Sequence, residues 1–239
     1  MTEPFTPDYH TGTPLPDWQG ASAPSRATMQ GRFCRLEPTS LDHVPDLSAT
    51  FQSGDAATDW LYLGYGPFAT EREVAAWVSQ VCLGEDPMFF TIVDPAAEQA
   101  VGVASYLNIH AAMGSIEVGH IHFSPAIQRS RIATEAMYLM MAHAFEQGFR
   151  RYEWKCDSLN QRSRRAAQRF GFSYEGIFRQ HLITKGRNRD TAWYAMIDAE
   201  WPRLKAAYQT WLSDSNFQAD GTQRQSLADL TGPVLVARG

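Results

Sequence analysis

The segment QRSRIATEA (residues 128–136) carries two arginines and a serine where a strand-like run gives way to a helical pattern. Pro125 stops the preceding run, and Ser130 belongs to a residue type favoured at a helix N-cap. A helix N-terminus offers unpaired backbone N–H groups and the positive end of the helix dipole, which together bind anions. The residues alone leave two interpretations open: an anion-binding turn over residues 128–133, or a charged, solvated helix start.

A pair of histidines, His120 and His122, lies in the strand-like run just upstream. Residues two apart on a regular strand share a face, and two imidazoles placed in this way can chelate a metal. His110 is available as a third ligand, but no carboxylate partner accompanies the three. Structural or substrate-facing histidines are therefore favoured, and no metal is predicted.

The stretch GYGPFA (residues 64–69) formally fits the G-x-G-x-x-A dinucleotide fingerprint. Pro67 interrupts it, Thr70 already caps the next helix, and a hairpin follows Asp94 where a parallel crossover would be needed. A nucleotide role is therefore not predicted. The aromatic residues of this segment predict a loop that covers either the core or a ligand; they are Trp60, Tyr62, Tyr65 and Phe68.

Periodicity predicts the elements that must position these residues. Strands are expected at 31–38, 88–94, 100–110, 115–124, 151–157, 173–186 and 191–198, with GRNR (186–189) near the last turn. Helices are expected at about 42–53, 70–83, 130–148, 161–169 and 200–212. The short link at 111–114 makes its two flanking strands an antiparallel hairpin. The order predicts an α/β fold (mixed α+β): a central mixed, mostly antiparallel sheet with helices on both faces.

Three regions follow from composition. Residues 1–28 are rich in proline and poor in apolar side chains, which is typical of an extended arm lying on the body or on a partner subunit. Residues 29–199 hold the sheet and its helices and form the predicted catalytic domain. Residues 200–239 are predicted as a C-terminal helix followed by a polar, loosely patterned tail.

The charge distribution is uneven. The chain has 26 acidic and 21 basic residues, a net −5, yet residues 128–169 hold nine basic and four acidic side chains. A basic island on an acidic body suits a small anionic ligand better than a nucleic-acid track, so no nucleic-acid partner is expected. The three cysteines are far apart and predict a reduced, cytoplasmic protein. No apolar run approaches the ~20 residues of a membrane span, and no signal-peptide pattern is present, so no membrane partner is expected.

Two segments carry a family resemblance: SIEVGHIHFSPAIQRSRIATEA (115–136) and EWKCDSLNQRSRRAAQRFGF (153–172). In this order of elements they resemble the GNAT superfamily of acyl-CoA N-acyltransferases, and most closely its Rim-type N-terminal amine acetyltransferases. The resemblance covers residues 31–198. The acyl-CoA loop of that family reads [QR]-x-x-G-x-[GA]; Gln128 and Ala133 match it, while Arg131 replaces the central glycine. Asn160-x-x-Ser163 and Gly171-Phe172 match the second motif.

The resemblance implies acetyl-CoA as the co-substrate. Backbone groups around Ile121 and Phe123 would hold the pantetheine arm and polarise the thioester, and Asn160 would contact the same arm. The loop and first helical turn would bind the phosphates; these residues are Gln128, Arg129, Ser130, Arg131, Ile132, Ala133 and Thr134. The guanidinium of Arg131 would then pair with the pyrophosphate or the 3′-phosphate.

The resemblance also implies catalytic residues. Glu117, four residues before Ile121, matches the usual general-base position, although a cross-strand charge is the alternative interpretation. On a regular strand His120 would face away from Glu117; a β-bulge would change this, and either histidine is a reserve base. The usual acid of the superfamily, a tyrosine, is replaced by Ala167. Ser163 is the candidate acid, or simply an early-helix residue.

The function implied is N-acetyl transfer from acetyl-CoA to a primary amine: a protein N-terminus, an amino acid or a small amine. The acceptor pocket is predicted to be polar and aromatic, with Trp60, Tyr62, Tyr65, His120 and His122. The alternative is a CoA-binding regulatory protein without turnover, because Ala167 removes one acid. Nucleic-acid binding through the arginines of 161–169 is disfavoured by the net charge. Homodimer formation is left open.

Overall fold

The computed structural model describes residues 12–239, so the first eleven residues of the predicted arm lie outside the described residues. One eight-stranded sheet has the order β1-β2-β3-β4-β5-β6-β8-β7, and every adjacent pair is antiparallel except β5 and β6. The strands are β1 (Met29–Gln30), β2 (Arg35–Pro38), β3 (Met88–Asp94), β4 (Gln99–His110), β5 (Ser115–Phe123), β6 (Arg151–Asp157), β7 (Ser173–Thr184) and β8 (Arg187–Ile197). The predicted mixed, mostly antiparallel sheet is confirmed.

Helices cover both faces of the sheet, as predicted. They are α1 (Val44–Gln52), α2 (Ala56–Asp59), α3 (Glu71–Trp77, continued by a π-helical turn), α4 (Arg131–Glu146), α5 (Gln161–Arg169), α6 (Trp201–Leu212) and α7 (Leu227–Thr231). An aromatic core around Phe51, Trp60 and Phe89 lies between α1, α3 and one face, and a larger core lies under α4 and α6 on the other. Across residues 12–239, no helix is long and apolar enough to span a membrane.

Helix α4 forms where its apolar stripe predicts. Ser130 caps it by accepting a hydrogen bond from the Ala133 N–H, and Ala136, Met137 and Met140 are fully buried. Burying this stripe against β5 and β6 removes roughly 1.5–3 kcal/mol of unfavourable hydration for each large apolar side chain. The packing fixes the N-terminal turn of α4 beside the C-terminal end of β5.

Two predicted elements were wrong in their bounds. The strand expected at 31–38 is a short hairpin, because the Gly31 N–H donates to the Cys34 carbonyl and turns the chain between β1 and β2. The last turn is not GRNR. Lys185 and Gly186 both have positive φ (48° and 72°), which is the geometry of a two-residue hairpin turn, so β8 already begins at Arg187.

The predicted loosely patterned tail is instead folded. Leu227 and Val234 are buried in the main core, and the Asn216 side chain donates to the carbonyls of Trp211 and Gln225. The described part of the N-terminal arm lies on the body: Trp18 Nε1 donates to the Ala112 carbonyl at 2.8 Å. Both segments are held in place by a few long-range contacts. Such contacts do not require a regular spacing of apolar residues, so the sequence shows little periodicity there.

Candidate active site

The site is built around the one parallel strand pair. β5 and β6 pair only from Ser115↔Arg151 to Val118↔Trp154. Beyond that point β5 continues along β4 while β6 continues along β8. The strands therefore separate, and we call the gap between residues 119–123 of β5 and 155–157 of β6 the strand opening. Backbone groups along its edges have no ladder partner across the gap and can hydrogen-bond an extended ligand.

A β-bulge in β5 determines which side chains face this opening. Val103 pairs with His122 and Ser105 with Gly119, so one residue of β4 opposes two of β5. His120 adopts a positive φ of 53° within the bulge. As a result His120 contacts Tyr65 and Phe89 on the same sheet face as Glu117, rather than the opposite face that a regular strand would give.

Glu117 is the most buried carboxylate at the opening, 5% exposed. Its Oε2 accepts hydrogen bonds from Lys155 Nζ and Asn108 Nδ2, both at 2.7 Å. Its Oε1 has no hydrogen-bond donor among residues 12–239 and lies 3.8 Å from where a Cβ on Gly119 would stand. Burial raises the pKa of Glu117, although Lys155 and Asn108 act in the opposite direction. The raised pKa makes Glu117 a stronger base than an ordinary glutamate, and its free Oε1 points along β5 toward the strand opening.

Tyr65 and His120 line the opening beside Glu117. The Tyr65 hydroxyl and His120 Nδ1 are 2.9 Å apart, with the two rings stacked. Burial lowers the pKa of His120 to about 4, so the ring is neutral at physiological pH. The Tyr62 hydroxyl donates to the Leu159 carbonyl at 3.3 Å and links the aromatic loop to the N-terminal side of α5.

Trp60 and His122 lie deeper, inside the aromatic core. Trp60 is 1% exposed and stacks on His122 with ring centroids 4.4 Å apart. Neither ring nitrogen of His122 has a partner among the described residues, and burial lowers the pKa of this histidine to about 4. Direct substrate contact by these two residues stays a prediction, and their burial favours a supporting role.

The burial of His122 predicts a pH-dependent stability. An unfolded histidine titrates near 6.5 and the folded one near 4, so between these values the unfolded state binds more protons. Stability therefore falls as the pH drops through this window, by about 2 kcal/mol from His122 between pH 7 and pH 5. Urea unfolding at a series of pH values should show that His122→Phe reduces this loss. Equal pH slopes in the wild type and His122→Phe would contradict the assignment.

The N-terminal turn of α4 forms a second half of the site, which we call the α4 cradle (residues 128–134). Arg129 adopts a positive φ of 63°, and Gln128 Nε2 donates to the Phe123 carbonyl. Within residues 12–239, the backbone N–H groups of Arg129, Arg131 and Ile132 find no acceptor. Three free N–H groups at the positive end of a helix form an anion site, so the first interpretation of this turn is favoured.

The side chain of Arg131 points away from the cradle backbone. Its guanidinium lies 3.3 Å from Asp214 Oδ1 and 3.7 Å above the Phe217 ring centroid, both in the C-terminal region. The predicted pairing of Arg131 with a phosphate therefore stays untested, and in this structure its partners are Asp214 and Phe217.

Arg169 supplies a half-buried cation that does not belong to either of the two family motifs. It donates to Thr134 Oγ1 at 3.1 Å, and no carboxylate in the described part of the chain pairs with it. Burial lowers its pKa, and the neighbouring charge of Arg129 acts in the same direction. An unpaired guanidinium beside a helix N-terminus indicates an anionic ligand.

The start of α5 borders the opening on the β6 side. Asn160 Oδ1 accepts from the Ser163 N–H at 3.0 Å, which caps the helix and leaves the amide Nδ2 without a partner in residues 12–239. Ser163 Oγ accepts from Trp154 Nε1 at 3.0 Å, so its own proton remains available for donation.

Three residues of the site were not assigned a role from the sequence: Asn108, Lys155 and Arg169. Asn108 reaches Glu117 because the β4–β5 register shifts between Leu107 and His110 and Asn108 adopts a positive φ of 48°, whereas a regular strand would turn this residue to the other face. Lys155 and Arg169 depend on the parallel β5–β6 register and on the packing of α5 against α4, for which no local pattern exists. No cluster of three or more potential metal ligands occurs in the described portion of the chain.

The comparisons with known proteins agree with this geometry. Residues 34–173 match a family model described as an acetyltransferase (GNAT) domain. The chain belongs to the GNAT acetyltransferase family. The matched segment contains the strand opening, Glu117 and the α4 cradle.

Solved structures extend the match. A GCN5-related N-acetyltransferase from Brucella melitensis is 43% identical, with a TM-score of 0.89 over 91% of this chain and 100% of that one. A probable GNAT-family acetyltransferase from Chromobacterium violaceum is 39% identical, with a TM-score of 0.73 over 82% and 100%. RimL, a ribosomal L7/L12 α-N-protein acetyltransferase, shares the fold at 22% identity and a TM-score of 0.62, over 72% and 94%. None of the curated proteins matches.

The residues present fit the acetyl-CoA that GNAT enzymes use. The α4 cradle presents three free N–H groups and the unpaired Arg169 to phosphate, and the strand opening presents free backbone edges to an extended amide-containing arm. The chain is therefore a GNAT acetyltransferase whose acceptor the comparisons leave undetermined.

Proposed function

We propose that this protein transfers the acetyl group of acetyl-CoA to a primary amine, with Glu117 as the general base. The observation that carries the proposal is the free Oε1 of Glu117. It is buried, belongs to a carboxyl group whose pKa is raised, and points toward the strand opening. A carboxylate in this position can bind an ammonium group and then remove its proton.

The cofactor would lie across both halves of the site. Backbone N–H groups of the α4 cradle, together with Arg169, would hold the phosphates. The pantetheine arm would enter the strand opening between Ile121 and Phe123 on one side and the free amide of Asn160 on the other. When bound, acetyl-CoA supplies the acetyl group as an activated thioester.

In the transfer step Glu117 takes the proton of the acceptor ammonium, which frees the nitrogen lone pair for attack on the thioester carbonyl. Backbone N–H groups of the bulged segment of β5 would stabilise the negative charge that develops on the oxygen. The second proton of the attacking nitrogen passes, through Ser163 or water, to the departing CoA thiolate. His120, neutral at physiological pH and bonded to Tyr65, is the reserve base.

The acceptor would approach from the aromatic loop that carries Tyr62 and Tyr65. Polar and aromatic groups in this position suit a peptide N-terminus, an amino acid or a small amine. The likeness to RimL supports a protein N-terminus among these, although it extends only to the fold. We propose a small molecule or peptide as the partner, in preference to nucleic acid or a membrane.

Two measurements test the proposal. Acetyl-CoA should raise the melting temperature, because ligand at about 100 times its Kd stabilises a folded protein by ~2.7 kcal/mol. A panel of peptide, amino-acid and small-molecule amines should then include at least one that releases CoA thiol. No thermal shift at millimolar acetyl-CoA would refute the cofactor assignment; binding without thiol release on a broad panel would favour the regulatory alternative.

The unpaired cation at the cradle gives a separate prediction. Arg169→Met keeps a long, unbranched side chain but removes the charge, so it should weaken acetyl-CoA binding about tenfold or more, the value of a charge-assisted hydrogen bond. Isothermal titration would measure this. Arg72→Met, an equal charge change at an exposed position of α3, serves as the control. Equal affinities of the wild type and Arg169→Met would show that Arg169 is structural.

A further inference from the structure

Lys155 occupies an unusual position for a lysine. It is the first residue of β6 beyond the last β5–β6 pair, Val118↔Trp154, so it stands at the mouth of the strand opening. Its side chain is 12% exposed and lies on the same sheet face as Glu117. A primary amine of the protein itself is thus placed where the acceptor amine would be expected.

The contacts of this amine resemble those an acceptor would require. Lys155 Nζ lies 2.7 Å from Glu117 Oε2, 2.8 Å from Glu153 Oε2 and 4.0 Å from the centroid of the Trp193 ring. Two carboxylates and an aromatic face hold an ammonium group in a single position. One of the two carboxylates is also the group to which base catalysis is assigned.

We propose that Lys155 is a site of self-acetylation, modified by this enzyme's own acetyl-CoA when no external acceptor is bound. This inference rests on the proposed function. Glu117 would act on Lys155 through Oε2 and on an external amine through Oε1, so one base serves both acceptors.

The step balances as an acyl transfer from a thioester to an amine. The Lys155 ammonium gives one proton to Glu117, and its nitrogen lone pair forms a C–N bond to the thioester carbonyl carbon. The C–S bond breaks, its electron pair leaves with the CoA sulfur, and the second amine proton passes to that thiolate. The products are Nε-acetyl-lysine and the free thiol of CoA.

Acetylation would change the site by removing a charge. Acetyl-lysine is neutral, so Glu117 and Glu153 lose the cation that lies between them. Glu153 keeps its ion pair with Arg151, whereas Glu117 loses its ion-pair partner, and the acetyl group fills the mouth of the opening. The modification would therefore limit turnover when acceptor is scarce.

The composition of the chain makes the test direct. It contains only three lysines, Lys155, Lys185 and Lys205. Lys205 is the internal control for uncatalysed acetylation, because its side chain is 37% exposed and it lies on α6, with Glu146 as its ion-pair partner. Lys185 donates to the carbonyls of Trp60 and Gly66 and is the second control.

The purified full chain would be incubated with isotope-labelled acetyl-CoA without an added amine, and sampled by intact mass and tryptic mapping. One acetyl group should appear on Lys155, detected by lost cleavage after residue 155, well before Lys205 is labelled. Glu117→Gln should slow labelling of Lys155 about 10²-fold without slowing that of Lys205. Lys155→Arg should remove the rapid label.

Contrary outcomes separate this inference from the proposed function. Thiol release on an added amine together with unmodified Lys155 would overturn self-acetylation alone. Labelling of Lys205 as fast as Lys155, or unchanged labelling of Lys155 in Glu117→Gln, would show uncatalysed chemistry and also overturn it. Absence of any acetyl-CoA-induced thermal shift would instead refute the proposed function.

Discussion

Glu117→Gln should lower kcat about 10²-fold near neutral pH, the usual contribution of a positioned general base. Glutamine preserves the shape of the side chain, and its amide oxygen can still accept from Asn108 and Lys155, but it cannot take a proton. The loss should shrink as the pH rises, because the free amine form of the acceptor then becomes abundant without a base. Affinity for acetyl-CoA should stay near wild type. Steady-state kinetics over a pH series with an acceptor from the amine panel would measure this.

Glu153→Gln is the matched control for that experiment. Glu153 also contacts Lys155, at 2.8 Å, but its other oxygen is held by Arg151 at 2.6 Å. It therefore has no free oxygen directed at the strand opening, and its amide variant should lower kcat far less than Glu117→Gln. Normal turnover by Glu117→Gln at pH 7 would make Glu117 structural and shift the search for the base to His120.

Glu135→Ala should destabilise the fold by about 3 kcal/mol or more, because hydrogen bonds to a charged group contribute ~1.5–3 kcal/mol each and buried donors left unpaired add a further cost. Glu135 lies on α4 and is 6% exposed. Its carboxylate accepts from the backbone N–H groups of Arg32 (3.0 Å), Phe33 (2.5 Å) and Cys34 (2.9 Å). This single side chain therefore anchors the β1–β2 turn to the helix that carries the α4 cradle.

Urea unfolding would measure the effect as a lower midpoint with an unchanged slope. The control is Glu146→Ala on the same helix, where the carboxylate is 62% exposed and makes one ion pair with Lys205 at 3.4 Å. A change within about 0.5 kcal/mol is expected there, as for most exposed ion pairs. Equal effects of the two substitutions would show that the three backbone bonds do not stabilise the turn.

Local patterns in the sequence predicted most of the elements around the site. The 3.6-residue apolar stripe of α4, its Ser130 cap and the four-residue link between β4 and β5 all act over a few neighbouring residues. Such short-range signals also predicted that Glu117 lies on a strand followed by a helix start, and the family resemblance then favoured an anion site at that helix start. The Gln128 and Asn160 motifs then placed the chain in its family, which the comparisons confirm.

The register of strands far apart in the chain could not be predicted in the same way. β5 and β6 are separated in the sequence by helix α4. Lys155 meets Glu117 only because these two strands pair in parallel and because their pairing ends at Val118↔Trp154. Likewise, the bulge that turns His120 toward Tyr65 depends on how β5 pairs with β4, and the residue types of β5 alone do not predict it.

The sequence by itself therefore determined the fold class through the spacing of nearby residues, and its resemblance to the GNAT family identified the acyl-CoA motifs and the carboxylate on β5. Only the tertiary structure decided the partners of that carboxylate, the direction of the Arg131 side chain and the unpaired state of Arg169. The physical reason is that a side chain's charge environment is the sum of neighbours brought together by long-range packing. A buried carboxylate becomes a base, an ion-pair partner or both only when those neighbours are in place.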